Sequence, residues 1–176
     1  AQAHHPLGGL PMETFTQGIL SGLGHPILGF DHLFFVLAMG AAAGMAGIIW
    51  RGIVAYIAAM LAGCLLIATC GTLPVQEVLI AASVGSLGLL VASQRQVPKL
   101  LLTGMFAAFG LFHGAAFGDA IAAQESAASL PVLTGYLLGP GSIQAALALG
   151  ASAVTRRLRP MTTRLGGAMI AGAGLL

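Results

Sequence analysis

Long apolar runs joined by short polar connections dominate this sequence of 176 residues. Hydrophobic residues make up 57% of the chain and charged residues only 7%, and the mean hydropathy is +0.95. Continuous apolar runs of about 20 residues are long enough to cross a bilayer as helices, whereas strands of a membrane barrel would alternate apolar and polar residues. We therefore predict an all-α polytopic membrane protein, a bundle of about six transmembrane helices preceded by a short amphipathic N-terminal helix.

The apolar runs place all 176 residues in a single transmembrane domain, 1–176. The six predicted spans cover about residues 26–49, 53–72, 75–93, 99–118, 130–154 and 161–176. Pro140 has no backbone N–H, and so the fifth span should kink or break there. Residues 12–23 repeat apolar side chains every three or four positions, which predicts an amphipathic helix too short to cross the membrane. We expect this helix to lie at the interface or over the mouth of the bundle.

The charged residues divide between the two sets of connections. All seven basic side chains lie in or beside the first, third and fifth connections: Arg51, Arg95, Lys99, Arg156, Arg157, Arg159 and Arg164. The N-terminal segment and the alternate connections carry all five acids. By the positive-inside rule, the N-terminus and the end of the sixth span face the outside. The residues form no basic face, so we expect no nucleic-acid partner, and the lipid bilayer is the main surrounding.

An outside N-terminus normally requires a signal peptide, and Ala1-Gln2-Ala3 resembles the end of a signal-peptide cleavage site. If cleavage leaves Gln2 as the first residue, His4 is the third, and its imidazole with the free amine and two backbone amides would chelate Ni²⁺ or Cu²⁺. A disordered terminus with His4 and His5 in solvent is the simpler explanation. Cys64 and Cys70 lie six residues apart in one span and are best explained as small buried hydrophobic residues.

Polar residues inside the spans are concentrated towards the predicted outer side. They are His25, Asp31 and His32 at the start of the first span, Glu77 at the start of the third, and His113 and Asp119 at the end of the fourth. An ionisable group in hydrocarbon costs about 2.5–3.5 kcal/mol and so normally faces a cavity or the bundle interior. Three histidines at one depth, with carboxylates nearby, predict an outer-facing metal site of His25, Asp31, His32, His113 and Glu77. Gln144 and Tyr136 in the fifth span line the inner pathway or form core hydrogen bonds.

His25 and His32 cannot bind one ion from a regular helix. Seven residues at 1.5 Å per residue separate them by about 10 Å, whereas metal–nitrogen bonds are about 2 Å long. Either the segment bends, and Gly29 is the residue that would allow it, or His32 binds with another helix while His25 serves an access site. We favour the bend. Imidazoles with carboxylates suit nickel, cobalt, copper and zinc.

Two motifs give the chain a family resemblance. Residues 25–32 read HPILGFDH and residues 112–118 read FHGAAFG. They resemble the H-x-x-x-x-x-D-H signature of the first span and the FHG motif of the fourth span in the HupE/UreJ family of nickel and cobalt permeases. The six-span layout and the cleaved signal agree over essentially the whole chain.

The resemblance implies uptake of Ni²⁺, or of Co²⁺, across a bacterial inner membrane to supply nickel enzymes such as hydrogenase or urease. It implies that the histidines and the aspartate of the two motifs are functional, and that Glu77 is the acidic residue of the third span. Related sequences often carry a further His or acid after the HG pair. This chain has Ala116 and Phe117 there, and Asp119 is its nearest acid.

The leading interpretation is a metal permease and not an enzyme. A hydrated divalent ion would bind at the outer mouth, lose water to the His and Asp ligands and pass through the bundle. The ion is cargo and no prosthetic group is expected, although Zn²⁺ could take the place of Ni²⁺ or Co²⁺. No nucleotide-binding motif is present, and the sequence specifies no oligomeric state. The alternative is an intramembrane zinc-dependent hydrolase that uses the same His/Asp cluster with a metal-bound water, and Ser83, Ser86 or Glu77 as its catalytic partner.

Overall fold

The computed structural model describes residues 12–70, 75–122 and 129–174. These residues form seven α-helices and no strands: α1 (Phe15–Leu28), α2 (Phe30–Ala46), α3 (Ile49–Cys70), α4 (Gln76–Ser93), α5 (Lys99–Ala122), α6 (Leu130–Thr155) and α7 (Pro160–Ala173). The predicted all-α membrane fold is confirmed. His4, His5 and the proposed cleavage remnant lie outside the described residues.

Helices α3 to α6 are each long and apolar enough to cross a membrane. Helices α1 and α2 meet at a bend of 78° and add a fifth candidate if they are counted as one broken span. Helix α7 has 14 residues, which at 1.5 Å per residue is about 21 Å and shorter than a bilayer core. The described residues therefore provide four or five candidate spans where the sequence predicted about six.

The N-terminal helix extends further than predicted. Thr14 caps it in a capping box, in which Thr14 Oγ1 accepts from the Gln17 backbone N–H at 3.2 Å and Gln17 Oε1 accepts from the Thr14 N–H at 3.0 Å. The helix then continues through residues 26–28, which the sequence places in the first span, and ends at Leu28 with Gly29 as its C-cap. The predicted span 26–49 is therefore two helices that meet at an angle.

Small residues let the helix backbones come close together. A Cβ on Gly40 of α2 would lie 2.8 Å from the Ala148 Cα of α6, and a Cβ on Gly114 of α5 would overlap the backbone of Met60 in α3. These contacts are typical of the small-xxx-small packing of membrane helices. Helix α6 passes through Pro140 as one continuous helix, so the predicted break does not occur there.

The two ends of the bundle carry opposite charges. Gln76 at the start of α4 contacts Asp119 near the end of α5, and Gln94 after α4 contacts Met45 near the end of α2. Gly40 and Gly44 of α2 lie on Ala148 and Ser152 of α6, so these two helices run in the same direction, and α3 and α5 are likewise parallel. Helices α2, α4 and α6 therefore begin at the end of the bundle where α3 and α5 finish. The acidic end holds Asp31, Glu77 and Asp119. The basic end holds the connections with Arg51, Arg95, Lys99, Arg156, Arg157 and Arg159.

Candidate metal site

His32 lies in the first turn of α2, where its neighbour determines the tautomer of the neutral ring. The side chain is buried, and its Nδ1 lies 3.0 Å from Asp31 Oδ1. Because a carboxylate only accepts, Nδ1 carries the proton and donates it. The other nitrogen, Nε2, keeps its lone pair, and this buried atom has no hydrogen-bond partner among the described residues. Carboxylate–histidine pairs of this kind orient metal-binding imidazoles and raise their basicity.

His113 on α5 is held in the opposite tautomer by Ser83 on α4. The Ser83 hydroxyl donates to the Ile80 carbonyl at 2.7 Å, and its oxygen lies 2.9 Å from His113 Nε2. A serine has one hydroxyl proton, so Ser83 must accept from the Nε2–H. His113 is fully buried, and its Nδ1 has no partner within the described part of the chain. The Nδ1 lone pair is therefore free to bind a metal ion.

The structure brings three of the predicted histidines together from three helices. The ring centroids of His32 and His113 are 4.8 Å apart, and those of His25 and His32 are 5.5 Å apart. Phe35 packs on His113 at 4.2 Å, and Phe117 lies 4.7 Å from His25 and 4.9 Å from His32. The three imidazoles therefore pack against the rings of Phe35 and Phe117, whereas the neighbouring Asp31 is exposed.

The bend at Gly29 brings His25 close to His32. On a straight helix the two residues would lie about 10 Å apart, but the 78° bend turns the end of α1 back over the start of α2. A Cβ on Gly29 would lie 3.1 Å from Asp31 Oδ1 and 3.4 Å from His32 Nδ1. The bend therefore lies at the residue that the sequence indicated. Helix α5 also contributes a histidine to the group, His113.

The histidine rings contact one another without forming an assembled coordination sphere. No three His, Cys, Asp or Glu side chains within residues 12–70, 75–122 and 129–174 are positioned to hold one ion. The rings of His32 and His113 meet edge to face at 86°. For one ion to bond to both rings, the two free nitrogens must lie no more than about 4 Å apart, given metal–nitrogen bonds of about 2 Å. Within the described residues the histidines are therefore close together but are not arranged as a complete ligand set.

Glu77, the fifth predicted ligand, is exposed in the first turn of α4. Its neighbour Gln76 takes the inward-facing position, and its amide nitrogen donates to Asp119 Oδ2 at 3.1 Å. Sequence reasoning missed Gln76, and it placed Asp119 on the outer side without assigning it to the metal site. An uncharged residue beside an acid gives no periodic signal at a helix start, and so only the packing of α4 against α5 identifies it.

A second polar group lies beside the histidines. Tyr56 donates to Gln144 Oε1, and Gln144 Nε2 lies 3.1 Å from Met60 Sδ. All three side chains are buried, and the Tyr56 ring centroid lies 6.3 Å from that of His113. Gln144 therefore forms a core hydrogen bond between α3 and α6, one of its two predicted roles. Cys64 is buried and not in a disulfide.

Comparisons with known proteins identify a family model and a relative of this chain. Residues 1–176 match a family model described as "HupE / UreJ protein". Protein HupE of Rhizobium leguminosarum bv. viciae is 32% identical over 126 residues, which are 70% of this chain and 63% of the relative. The match thus spans less than two thirds of that relative's length. No solved structure matches the chain significantly.

Proposed function

Because this chain belongs to the HupE/UreJ family, we propose that it is a permease that takes up a divalent transition metal ion, Ni²⁺ or Co²⁺, across the bacterial inner membrane. The family is associated with nickel and cobalt uptake, and the helices long enough to cross a membrane make the chain a multi-pass membrane protein. One observation supports a specific site for the ion. His32 and His113 are buried, and each presents a nitrogen lone pair that has no partner among the described residues.

In this proposal the two free nitrogens, His32 Nε2 and His113 Nδ1, bind the ion. Neutral imidazole is a preferred ligand of nickel, cobalt and zinc, and a buried acceptor without a partner costs about 1–3 kcal/mol. A cation between the two rings removes that cost. Asp31 and Ser83 hold the rings in the required tautomers, and His25 together with retained water completes the coordination.

The acidic end of the bundle faces the outside in this proposal, since basic connections remain on the cytoplasmic side. The N-terminus is then outside. The ion arrives from the end that holds Asp31 and Asp119, loses part of its water to the imidazoles, and continues past Tyr56 and Gln144. A membrane potential of 100 mV supplies about 4.6 kcal/mol for a divalent cation moving inwards.

The hydrolase interpretation would need a group near the metal that acts on a substrate. The Ser83 hydroxyl proton is engaged with the Ile80 carbonyl and its oxygen with His113. Ser83 is therefore assigned here as a positioning residue for His113, and the transporter remains the proposed function.

Uptake in cells tests the proposal. The chain is expressed in a bacterial strain that lacks its own nickel uptake, and cell-associated nickel and cobalt are measured by mass spectrometry. We expect accumulation of at least one of the two metals above a vector control, and its loss when the membrane potential is collapsed. Accumulation equal to the vector control, with the protein present in the membrane, would refute the permease function.

A further inference from the structure

A second pair of polar side chains joins α4 and α5 nearer to the acidic end of the bundle. Gln76 Nε2 donates to Asp119 Oδ2 at 3.1 Å, and Gln76 is only 8% exposed. The remaining oxygens, Gln76 Oε1 and Asp119 Oδ1, are both buried and have no hydrogen-bond partner within the described residues. We call Gln76 and Asp119 the outer oxygen pair.

The outer oxygen pair and the Ser83–His113 contact are successive steps between the same two antiparallel helices. Gln76 precedes Ser83 by seven residues on α4, and Asp119 follows His113 by six residues on α5. At 1.5 Å per residue, these separations place the pair about 10 Å from the histidines along both helices. An ion that moves from the acidic end towards His113 would meet the pair first.

Packing alone does not explain the free oxygens. The Asp119 carboxylate lies beside the first turn of α4, where the helix dipole favours negative charge. That position accounts for the carboxylate but leaves the Gln76 carbonyl oxygen buried and unpaired, which costs about 1–3 kcal/mol. Both free atoms are acceptors, so neither can satisfy the other. A cation that contacts both oxygens would satisfy them together.

We propose that the outer oxygen pair is a second cation-binding site, which holds a hydrated divalent ion through Asp119 Oδ1 and Gln76 Oε1 before the ion reaches the histidines. Carboxylate and amide oxygens with water suit hard divalent cations such as Mn²⁺ and Mg²⁺, whereas imidazoles suit nickel and cobalt. The two sites therefore select ions by different chemistry: the outer oxygen pair by charge, and the histidines by affinity for nitrogen ligands. This inference rests on the proposed permease function.

Manganese binding to the purified full-length chain in detergent tests the pair. Free Mn²⁺ gives a six-line electron paramagnetic resonance signal that disappears on binding, so a titration gives the affinity directly. We expect Asp119→Asn to weaken Mn²⁺ binding by roughly tenfold or more, because ligand charge sets the affinity of oxygen sites. Gln76→Glu should strengthen it, since it adds a second carboxylate. A purely structural tie between Gln76 and Asp119 predicts no such opposite effects.

The controls separate this inference from the permease function. Glu13→Gln removes an exposed carboxylate and should leave Mn²⁺ binding unchanged. His113→Ala should also retain it, although it is expected to abolish nickel uptake. Wild-type affinity in Asp119→Asn, or an equal loss in Glu13→Gln, would overturn the second site even if nickel uptake is normal. Absence of nickel uptake with Mn²⁺ binding that depends on Asp119 would instead contradict the permease function alone.

Discussion

The imidazole rings of His32 and His113 meet edge to face, with their centroids 4.8 Å apart and their planes at 86°. Each ring has a different hydrogen-bond partner, Asp31 for His32 and Ser83 for His113. These hydrogen bonds determine which nitrogen of each ring carries the proton. The lone pairs of the other two nitrogens, His32 Nε2 and His113 Nδ1, are then both available to a metal ion. In the proposed site the two histidines act as one unit, and loss of either should disable it.

The first prediction follows from this unit. His32→Ala and His113→Ala should each abolish nickel and cobalt accumulation while the protein still inserts and purifies, because one remaining imidazole cannot replace a two-nitrogen site. Metal content of cells and the amount of protein in the membrane fraction are measured together. Phe109→Leu perturbs the same aromatic cluster through Phe35 and should retain uptake. Normal uptake in either alanine variant would remove the site from the mechanism.

A second prediction concerns the tautomer of His113. Ser83→Ala removes the acceptor for the His113 Nε2–H. The proton can then move to Nδ1, which would no longer have a lone pair for the metal ion. We expect metal affinity to fall about 10–100-fold, as is typical when a group that orients a ligand is lost. The nitrogen chemical shifts of the His113 ring, measured by nuclear magnetic resonance, should also change in Ser83→Ala, because the tautomer changes.

Ser93→Ala is the matched control for Ser83→Ala. Ser93 lies on the same helix and makes the same type of bond, its hydroxyl donating to the Leu90 carbonyl at 3.0 Å. It lies at the opposite end of α4 from the outer oxygen pair. Wild-type affinity and wild-type nitrogen shifts in Ser83→Ala would show that the hydroxyl does not set the tautomer.

The sequence predicted the fold class and the histidine group because both depend on strong local signals. Continuous apolar runs identify membrane helices, and His25, His32 and His113 are rare residue types in hydrocarbon. The bend at Gly29 was also predictable, since two histidines seven residues apart cannot meet on a straight helix.

The parts that could not be predicted depend on which face of each helix packs inwards. Glu77 was predicted as a ligand and lies exposed at the start of α4, where its neighbour Gln76 is the buried residue. Ser83 could not be distinguished from other serines, because its role depends on the packing of α4 against α5. The division of the first span into α1 and α2 likewise reflects packing of α1 against α6, through Gly18 and Gly22, which composition does not reveal.

A third prediction tests the bend. Gly29→Ala adds a Cβ 3.1 Å from Asp31 Oδ1 and 3.2 Å from the His25 carbonyl oxygen, so it should displace the Asp31 carboxylate from His32. We expect metal affinity to fall by about tenfold or more, the effect of a displaced orienting group, with normal insertion in the membrane. Gly150→Ala, which meets nothing within 4 Å, should behave as wild type in the same uptake and binding assays. Unchanged affinity in Gly29→Ala would show that the junction tolerates a side chain.

The last prediction concerns the packing that holds His113 in place. Helices α3 and α5 run parallel, because Gly110 lies on Tyr56 and Gly114 lies one turn later on Met60. Gly114→Ala would force a methyl group into the Met60 backbone, and overpacking of this kind costs about 1–3 kcal/mol. Gly104→Ala on the same helix meets nothing within 4 Å and should be neutral or stabilising by up to about 1 kcal/mol, since it removes a flexible helical glycine. The melting temperature measured in detergent should therefore fall for Gly114→Ala and not for Gly104→Ala.

Because Gly114 is next to His113, Gly114→Ala should also lower metal affinity. Equal melting temperatures for the two variants would contradict the close approach of α3 and α5.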